Sequence, residues 1–256
     1  NLDTGNNHNL LSMLSLNNYK KKFFENGFFI VKDVFSKKEI NCLLNDLESI
    51  KIKSKEVKNK NMHYTTDKKI NTIHNINKYI KKGTIINFTK NEKITSIVNC
   101  LLGKKSTVRN IEFFLKPKKT GLRAPFHQDN FYWNISNKKA LNVWIACSKS
   151  NSMNGGVCYY KSSHKMGLIK HELSRYPGSS QKIPESNLRY VKFKKVYPKL
   201  NIGDCIIHHC EVIHGSNPNK SNNDRIALVV SYKGKNAKIN RFKLNKYKNL
   251  LKKNSK

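Results

Sequence analysis

The sequence predicts a mainly β domain, a barrel or sandwich, covered on one side by N-terminal helices. Helical periodicity is confined to the chain before Gly103. From Val108 onward, short β-rich runs follow one another, punctuated at Pro117, Pro125, Asn154-Gly155-Gly156, Gly167, Pro198 and Gly203-Asp204. No βαβ alternation runs through the chain, which argues against a doubly wound parallel sheet.

The elements follow in order. Residues 1–16 are polar with scattered leucines, and 1–18 reads as a flexible lead. Tyr19 to Glu25 is a short helix stopped by Asn26-Gly27. Phe28 to Val34 reads as a strand. Ser36 followed by Glu39 three residues later is a capping box, and Ile40, Leu43, Leu44, Leu47 and Ile50 then recur at helical spacing. Residues 51–90 are rich in Lys and Asn without a clear period, so a mobile lid or an insert is expected there. Asn91 to Leu102 is a further helix ending at Gly103. The β runs are VRNIEFFL, PFHQDNFYW, LNVWIAC, GGVCYYK, YVKFKKVYP, DCIIHHCEVIH and RIALVVSYK. One domain is expected over 19–237, with helical support over 19–105, a β core over 106–235, and a basic tail over 238–256.

Composition narrows the function classes. A hydrophobic share of 38% with 10% aromatics is enough to build a core. No apolar run reaches membrane-spanning length and no charged-then-apolar leader opens the chain, so a cytoplasmic location is expected. The six cysteines form no C-x-x-C pair, which argues for reduced thiols and against a zinc ribbon. The net charge of +34 suggests nucleic acid at first sight. Its source, however, is mainly lysine spread along the chain beside abundant Asn and Ile, which is what AT-rich codons encode. No specific nucleic-acid partner is expected. Only six arginines remain in this background, and lysine cannot replace arginine where a planar bidentate fork is needed. That singles out Arg225 and Arg123.

The chemistry centres on FHQDNFYW, where His127 and Asp129 form an H-x-D pair that a strand would aim at one point. His214 follows in VIHGSNPN, with Arg225 eleven residues later. Two imidazoles and one carboxylate hold Fe(II) on one face and leave the other open. A guanidinium on the alternating strand Arg225-Ala227-Val229 would be buried and would need a carboxylate. His208 and His209 are rivals to His214, read as supporting or structural residues.

These residues resemble the phytanoyl-CoA dioxygenase family of Fe(II)/2-oxoglutarate oxygenases. The likeness runs from Tyr19 to Lys233 through ENGFFIVKDVF, FHQDNFYWNI, ALNVWIA, GGVCYYKSSHKMG and GDCIIHHCEVIHGSNPNKSNNDRIAL. The resemblance implies a double-stranded β-helix, a cupin-like jelly roll. It implies His127, Asp129 and His214 as iron ligands and Arg225 as partner of the far carboxylate of 2-oxoglutarate. Gln128, Trp144 and Ser216 would line the co-substrate pocket. The implied reaction hydroxylates an unactivated C–H bond with Fe(II), 2-oxoglutarate and O2, releasing succinate and CO2. Asp129 favours hydroxylation, since related halogenases carry a small residue there. One departure is Lys161-Ser162-Ser163-His164, where the family commonly has Pro-Gly before Ser-His. Arg123, Lys116 and Trp133 are candidates for a small, optionally anionic substrate. Two alternatives stay open: a silent barrel binding polyanions through its lysines, and a cupin-like metalloenzyme without a keto acid.

Overall fold

The computed structural model describes residues 4–56 and 61–253. α1 runs Thr4–Asn26, so the lead is helical from Thr4. It ends at Gly27, whose φ is 81° and where a Cβ would lie 2.6 Å from His164 Nδ1. Only glycine can make that turn into β1 (Phe28–Val31). α2 (Lys37–Glu56) opens on the expected capping box. The Ser36 amide donates to Glu39 Oε2 at 2.8 Å, and the Glu39 amide donates to Ser36 Oγ at 3.2 Å. Ile40, Leu43, Leu47 and Ile50 line its buried stripe.

Within residues 51–90 the described chain is structured, contrary to expectation. β2 (Met62–Tyr64), β3 (Ile70–Ile73), a 3₁₀ turn at Ile76–Lys78 and α3 (Thr84–Thr89) follow α2. Residues 57–60 lie outside the described residues. Ile73, Ile76, Ile85 and Phe88 anchor this segment in the main core. So few apolar anchors, spaced irregularly among Lys and Asn, leave no period to read. α4 (Glu92–Leu102) begins where Asn91 Oδ1 accepts the Ile94 amide at 3.1 Å.

The β region follows with β4 (Thr107–Lys116), β5 (Ala124–His127), the one-turn α5 (Asn130–Trp133), β6 (Ala140–Ala146) and β7 (Val157–Tyr160). A hairpin of β8 (Glu172–Tyr176) and β9 (Ser179–Lys182) comes next, in a stretch where no strand was expected. α6 (Glu185–Leu188) follows, and of the strand expected over 190–198 only β10 (Lys195–Val196) forms. β11 (Cys205–His209), β12 (His214–Ser216), β13 (Arg225–Lys233) and α7 (Arg241–Lys253) complete the chain, so the basic tail is largely helical.

The larger sheet has the order β1-β11-β6-β13-β4-β3-β2, and the smaller β10-β7-β12-β5; all pairings are antiparallel. This is a jelly roll. Alternation along β13 sorts its two faces. Leu228, Val230 and Tyr232 pack outward among the helices, while Ala227 and Val229 join Trp144, Tyr159 and Ile206 between the sheets. The six cysteines are unpaired, four of them buried. No described helix is long and apolar enough to cross a membrane.

Candidate metal centre

The smaller sheet sets two imidazoles side by side, tilted at 53° to each other. His214 on β12 is the direct partner of His127 on β5, and their rings lie 4.3 Å apart. Asp129 joins them by a route that strand alternation does not describe. β5 ends at His127, and Asp129 has helical backbone (φ −59°, ψ −35°) as the N-cap of α5. Its carbonyl accepts the Tyr132 and Trp133 amides at 2.9 and 3.2 Å, so the turn is fixed by its own hydrogen bonds. The carboxylate still lands between the rings, Oδ1 3.6 Å from His127 Nε2 and Oδ2 3.7 Å from His214 Nε2. The three prospective ligand atoms all lie within 4.8 Å of one another.

The ring orientations suit a metal. His127 Nδ1 faces the Pro125 carbonyl at 2.8 Å, and His214 Nδ1 faces the Val212 carbonyl at 3.0 Å. A carbonyl only accepts, so each Nδ1 carries the proton and each Nε2 presents a lone pair toward Asp129. Burial pushes the His214 imidazole down to about 3, which keeps it neutral at physiological pH. Burial also opposes ionisation of Asp129, but His214, His127 and His208 hold its carboxyl well below the usual range. Burial opposes a charge on His127, but Asp129 outweighs it and raises that imidazole's pKa, so in the metal-free site His127 is the ring that shares a proton with the carboxylate. Two imidazoles and one carboxylate so placed are what Fe(II) takes on one face.

Further residues hold the carboxylate in place. Asn142 Nδ2 donates to Asp129 Oδ2 at 2.8 Å, and His208 Nε2 lies 3.1 Å from the same oxygen. Tyr159 Oη lies 2.8 Å from His208 Nδ1. With the tyrosine hydroxyl donating, His208 is left to donate from Nε2 to Asp129. His208 therefore supports the trio from outside it. Asn142 and Tyr159 were missed in the sequence. An Asn inside the otherwise apolar strand ALNVWIA was a usable signal; Tyr159 had none.

Arg225 sits at the start of β13, 2% exposed, with its guanidinium 5.5 Å from the centre of the Trp144 ring. Its Nη1 reaches the Phe114 carbonyl at 3.4 Å, while its buried Nε has no hydrogen-bond partner. Burial lowers its pKa to about 9, and the group felt in the other direction is Cys147, not a carboxylate. A buried guanidinium with an unmet donor fits a carboxylate-bearing co-substrate. Ser216 lies two residues beyond His214 on β12, where its Oγ accepts from Lys116 Nζ at 2.6 Å.

The other candidate residues are held by neighbours of their own. Gln128 is fully buried and committed elsewhere: its Nε2 donates to the Gly167 and Glu211 carbonyls and its Oε1 accepts the Ile169 amide. It fastens loops and is not free to line a pocket. Trp133 is core, packed with Ile135, Ala140 and Cys210 under the Arg109 guanidinium. Arg123 lies at the surface and pairs with Glu185 at 3.3 Å. Lys116 is 3% exposed and points inward, not toward an outer anionic substrate. His171 is buried beside Gln128, and its Nε2 accepts the Gln128 amide at 3.0 Å.

Comparisons agree with this site. The family model for phytanoyl-CoA dioxygenase (PhyH) matches residues 23–227. A probable alpha-ketoglutarate-dependent hypophosphite dioxygenase of Stutzerimonas stutzeri is 23% identical over 220 residues, covering 83% of this chain and 77% of the relative. Peroxisomal phytanoyl-CoA dioxygenase of Homo sapiens is 25% identical; the alignment covers 82% of this chain but 66% of the human protein. Among solved structures, EctD from S. alaskensis with bound Fe superposes with a TM-score of 0.71 at 17% identity, over 86% of this chain and 77% of that one. The epimerase SnoN in complex with Fe3+, alpha ketoglutarate and nogalamycin RO gives 0.67 at 16%, over 87% and 84%. At these identities the structural likeness shows the fold.

Proposed function

The chain belongs to the phytanoyl-CoA dioxygenase family, and from that premise we propose that it is an Fe(II)- and 2-oxoglutarate-dependent dioxygenase. Its reaction is hydroxylation of an unactivated C–H bond in a small molecule. The observation that carries the reading is the buried His127–Asp129–His214 trio, each imidazole turned by a backbone carbonyl so that Nε2 faces the carboxylate.

When bound, iron and keto acid supply the oxidising chemistry, with O2 consumed and the keto acid released as succinate and CO2. The protein's share is position and charge. His127, Asp129 and His214 would hold the metal, while Asn142 and His208 keep the carboxylate from turning away. Arg225 would pair with the distal carboxylate of the keto acid, flanked by Trp144 and Ser216. Burial of both ends of this arrangement keeps water out of it. The hypophosphite and phytanoyl-CoA named for the two relatives are too unlike for either to be carried over. Whether the substrate is anionic is left to the substrate search: Arg123 pairs with Glu185, while Lys116 lies inside the barrel as the cross-strand partner of Arg225.

The reading extends to one domain over 19–237. A cytoplasmic location is part of the same proposal, supported by six unpaired thiols, four of them buried. The test is succinate formation from 2-oxoglutarate with Fe(II) and O2. Wild-type protein is expected to form succinate even without added substrate, at an uncoupled rate, and Asp129→Ala to form none. Equal succinate formation by Asp129→Ala would overturn the ligand set.

A further inference from the structure

β4 holds one residue more than β13 can pair with. Ser231 stands opposite Asn110 and Tyr232 opposite Val108, which leaves Arg109 as a bulge between them. A bulge re-aims a side chain. Val108 packs outward against the helical core, while the Arg109 guanidinium lies 4.8 Å from the centre of the Trp133 ring. Burial lowers the Arg109 pKa against the pull of Glu112 and Asp129. Neither acid closes to ion-pairing distance, and the guanidinium donates to no other described residue. Arg109 is also one of only six arginines in a chain that uses lysine nearly everywhere else.

Glu112 lies three residues further along the same wall. It is the cross-strand partner of Val229, which packs between the sheets, so its carboxylate faces the barrel interior. Oε1 takes both Asn110 Nδ2 at 2.8 Å and His74 Nδ1 at 2.6 Å, and no described residue donates to Oε2. Opposite charges this close along one wall gain by closing on each other. Here they are held apart, the guanidinium by stacking and the carboxylate by two donors, and each keeps hydrogen-bonding capacity free. The wall beyond them is polar as well: His74 Nε2 and Thr72 Oγ1 are buried without a partner.

The pair stands within a small molecule's reach of the metal trio. Asn110, Ser231 and Asn142 are direct partners across β4, β13 and β6, and Asn142 donates to Asp129. Neighbouring strands are about 4.8 Å apart, so this row spans roughly 10 Å. We propose that Arg109 and Glu112 bind the substrate, and that the substrate is a small zwitterion with its anionic group on Arg109 and its protonated amine on Glu112. A singly charged molecule would leave one of the two enclosed charges unmet. The proposal names a substrate class for the dioxygenase reading above and rests on it.

The experiment is succinate formation by the Fe(II)-loaded full chain at saturating 2-oxoglutarate. It is run with the common L-amino acids, each free, N-acetylated and as the carboxamide. At least one free amino acid should raise succinate formation several-fold above the uncoupled rate, and blocking either end should remove the rise. Glu112→Gln should lower discrimination against the acetylated form by about tenfold or more, as loss of a charge-assisted hydrogen bond does, and keep discrimination against the carboxamide within about twofold. Arg109→Gln should do the reverse. Each variant controls for the other, so one that fails to fold leaves the second to decide. A merely structural role would weaken all three forms alike in both variants and would overturn the proposal. So would stimulation by the blocked forms equal to that by the free ones, or no stimulation by any member of the series. Absence of succinate from the wild type under every condition would instead overturn the dioxygenase reading.

Discussion

Asp129 concentrates what single residues do here. It faces two prospective metal-binding imidazoles and is tied down by Asn142 and His208. Asp129→Ala should lose Fe(II) binding, read by metal analysis after desalting. Asn142→Ala should keep the fold but weaken Fe(II) binding by about 10- to 100-fold, as removal of a residue that orients a ligand does; unchanged affinity would assign Asn142 to the core alone. Arg225→Ala should chiefly raise the 2-oxoglutarate concentration needed for half-maximal succinate formation. The trio and Arg225 were legible because H-x-D, the later histidine and the arginine keep a distinctive order. Of their supports only His208 was foreseen, as one of two candidates; Asn142 and Tyr159 act across strands far apart in sequence. The surroundings of Gln128 and Trp133 were not legible for a related reason: adjacency to a ligand says nothing of which face a side chain takes once the strand has ended. Trp133 turns into the core at the end of α5, which begins directly after Asp129.

At the scale of elements, caps and helix stripes were readable and short strands were not. The Ser36–Glu39 box and the Asn91 cap are local, so the residues that make them stand together in the chain. Asn91→Ala should therefore cost about 1 kcal/mol in denaturant unfolding, with the slope unchanged. β3 pairs with β4 through Thr72 and Phe114, and β12 is three residues long; neither has enough alternation to declare itself. The link between β3 and β4 also carries a titrating pair. His74 Nδ1 lies 2.6 Å from Glu112 Oε1. Burial opposes a charge on His74, but the Glu112 carboxylate outweighs it and raises the imidazole pKa above 6.5. A raised pKa in the folded state stabilises fully below the unfolded value, and that contribution fades as pH rises through the folded one. Thermal unfolding of metal-free wild type and Glu112→Gln should thus differ most below about pH 6.5 and converge in more alkaline buffer. A gap that widens with pH would contradict the pairing.

Over the whole molecule, two antiparallel sheets close around a polar centre while helices cover the larger sheet. Fold class was legible from helices first and strands after; the return of β1 to the sheet edge beside β11 was not, since nothing local marks a pairing of Phe28 with His208. The net charge of +34 comes mainly from lysines spread along the chain. It should act on the molecule as self-repulsion, so the thermal midpoint should rise as salt shortens the screening length from about 30 Å at 0.01 M to about 8 Å at 0.15 M. Retention on immobilised polyanion should vanish over the same range. The measurement that tests the central claim most directly is anaerobic titration of metal-free protein with Fe(II) and 2-oxoglutarate, followed by visible absorption. A metal-to-keto-acid charge-transfer band is expected in the wild type and absent in Asp129→Ala and His214→Ala. Folded wild-type protein with excess iron and keto acid but no band would contradict the account.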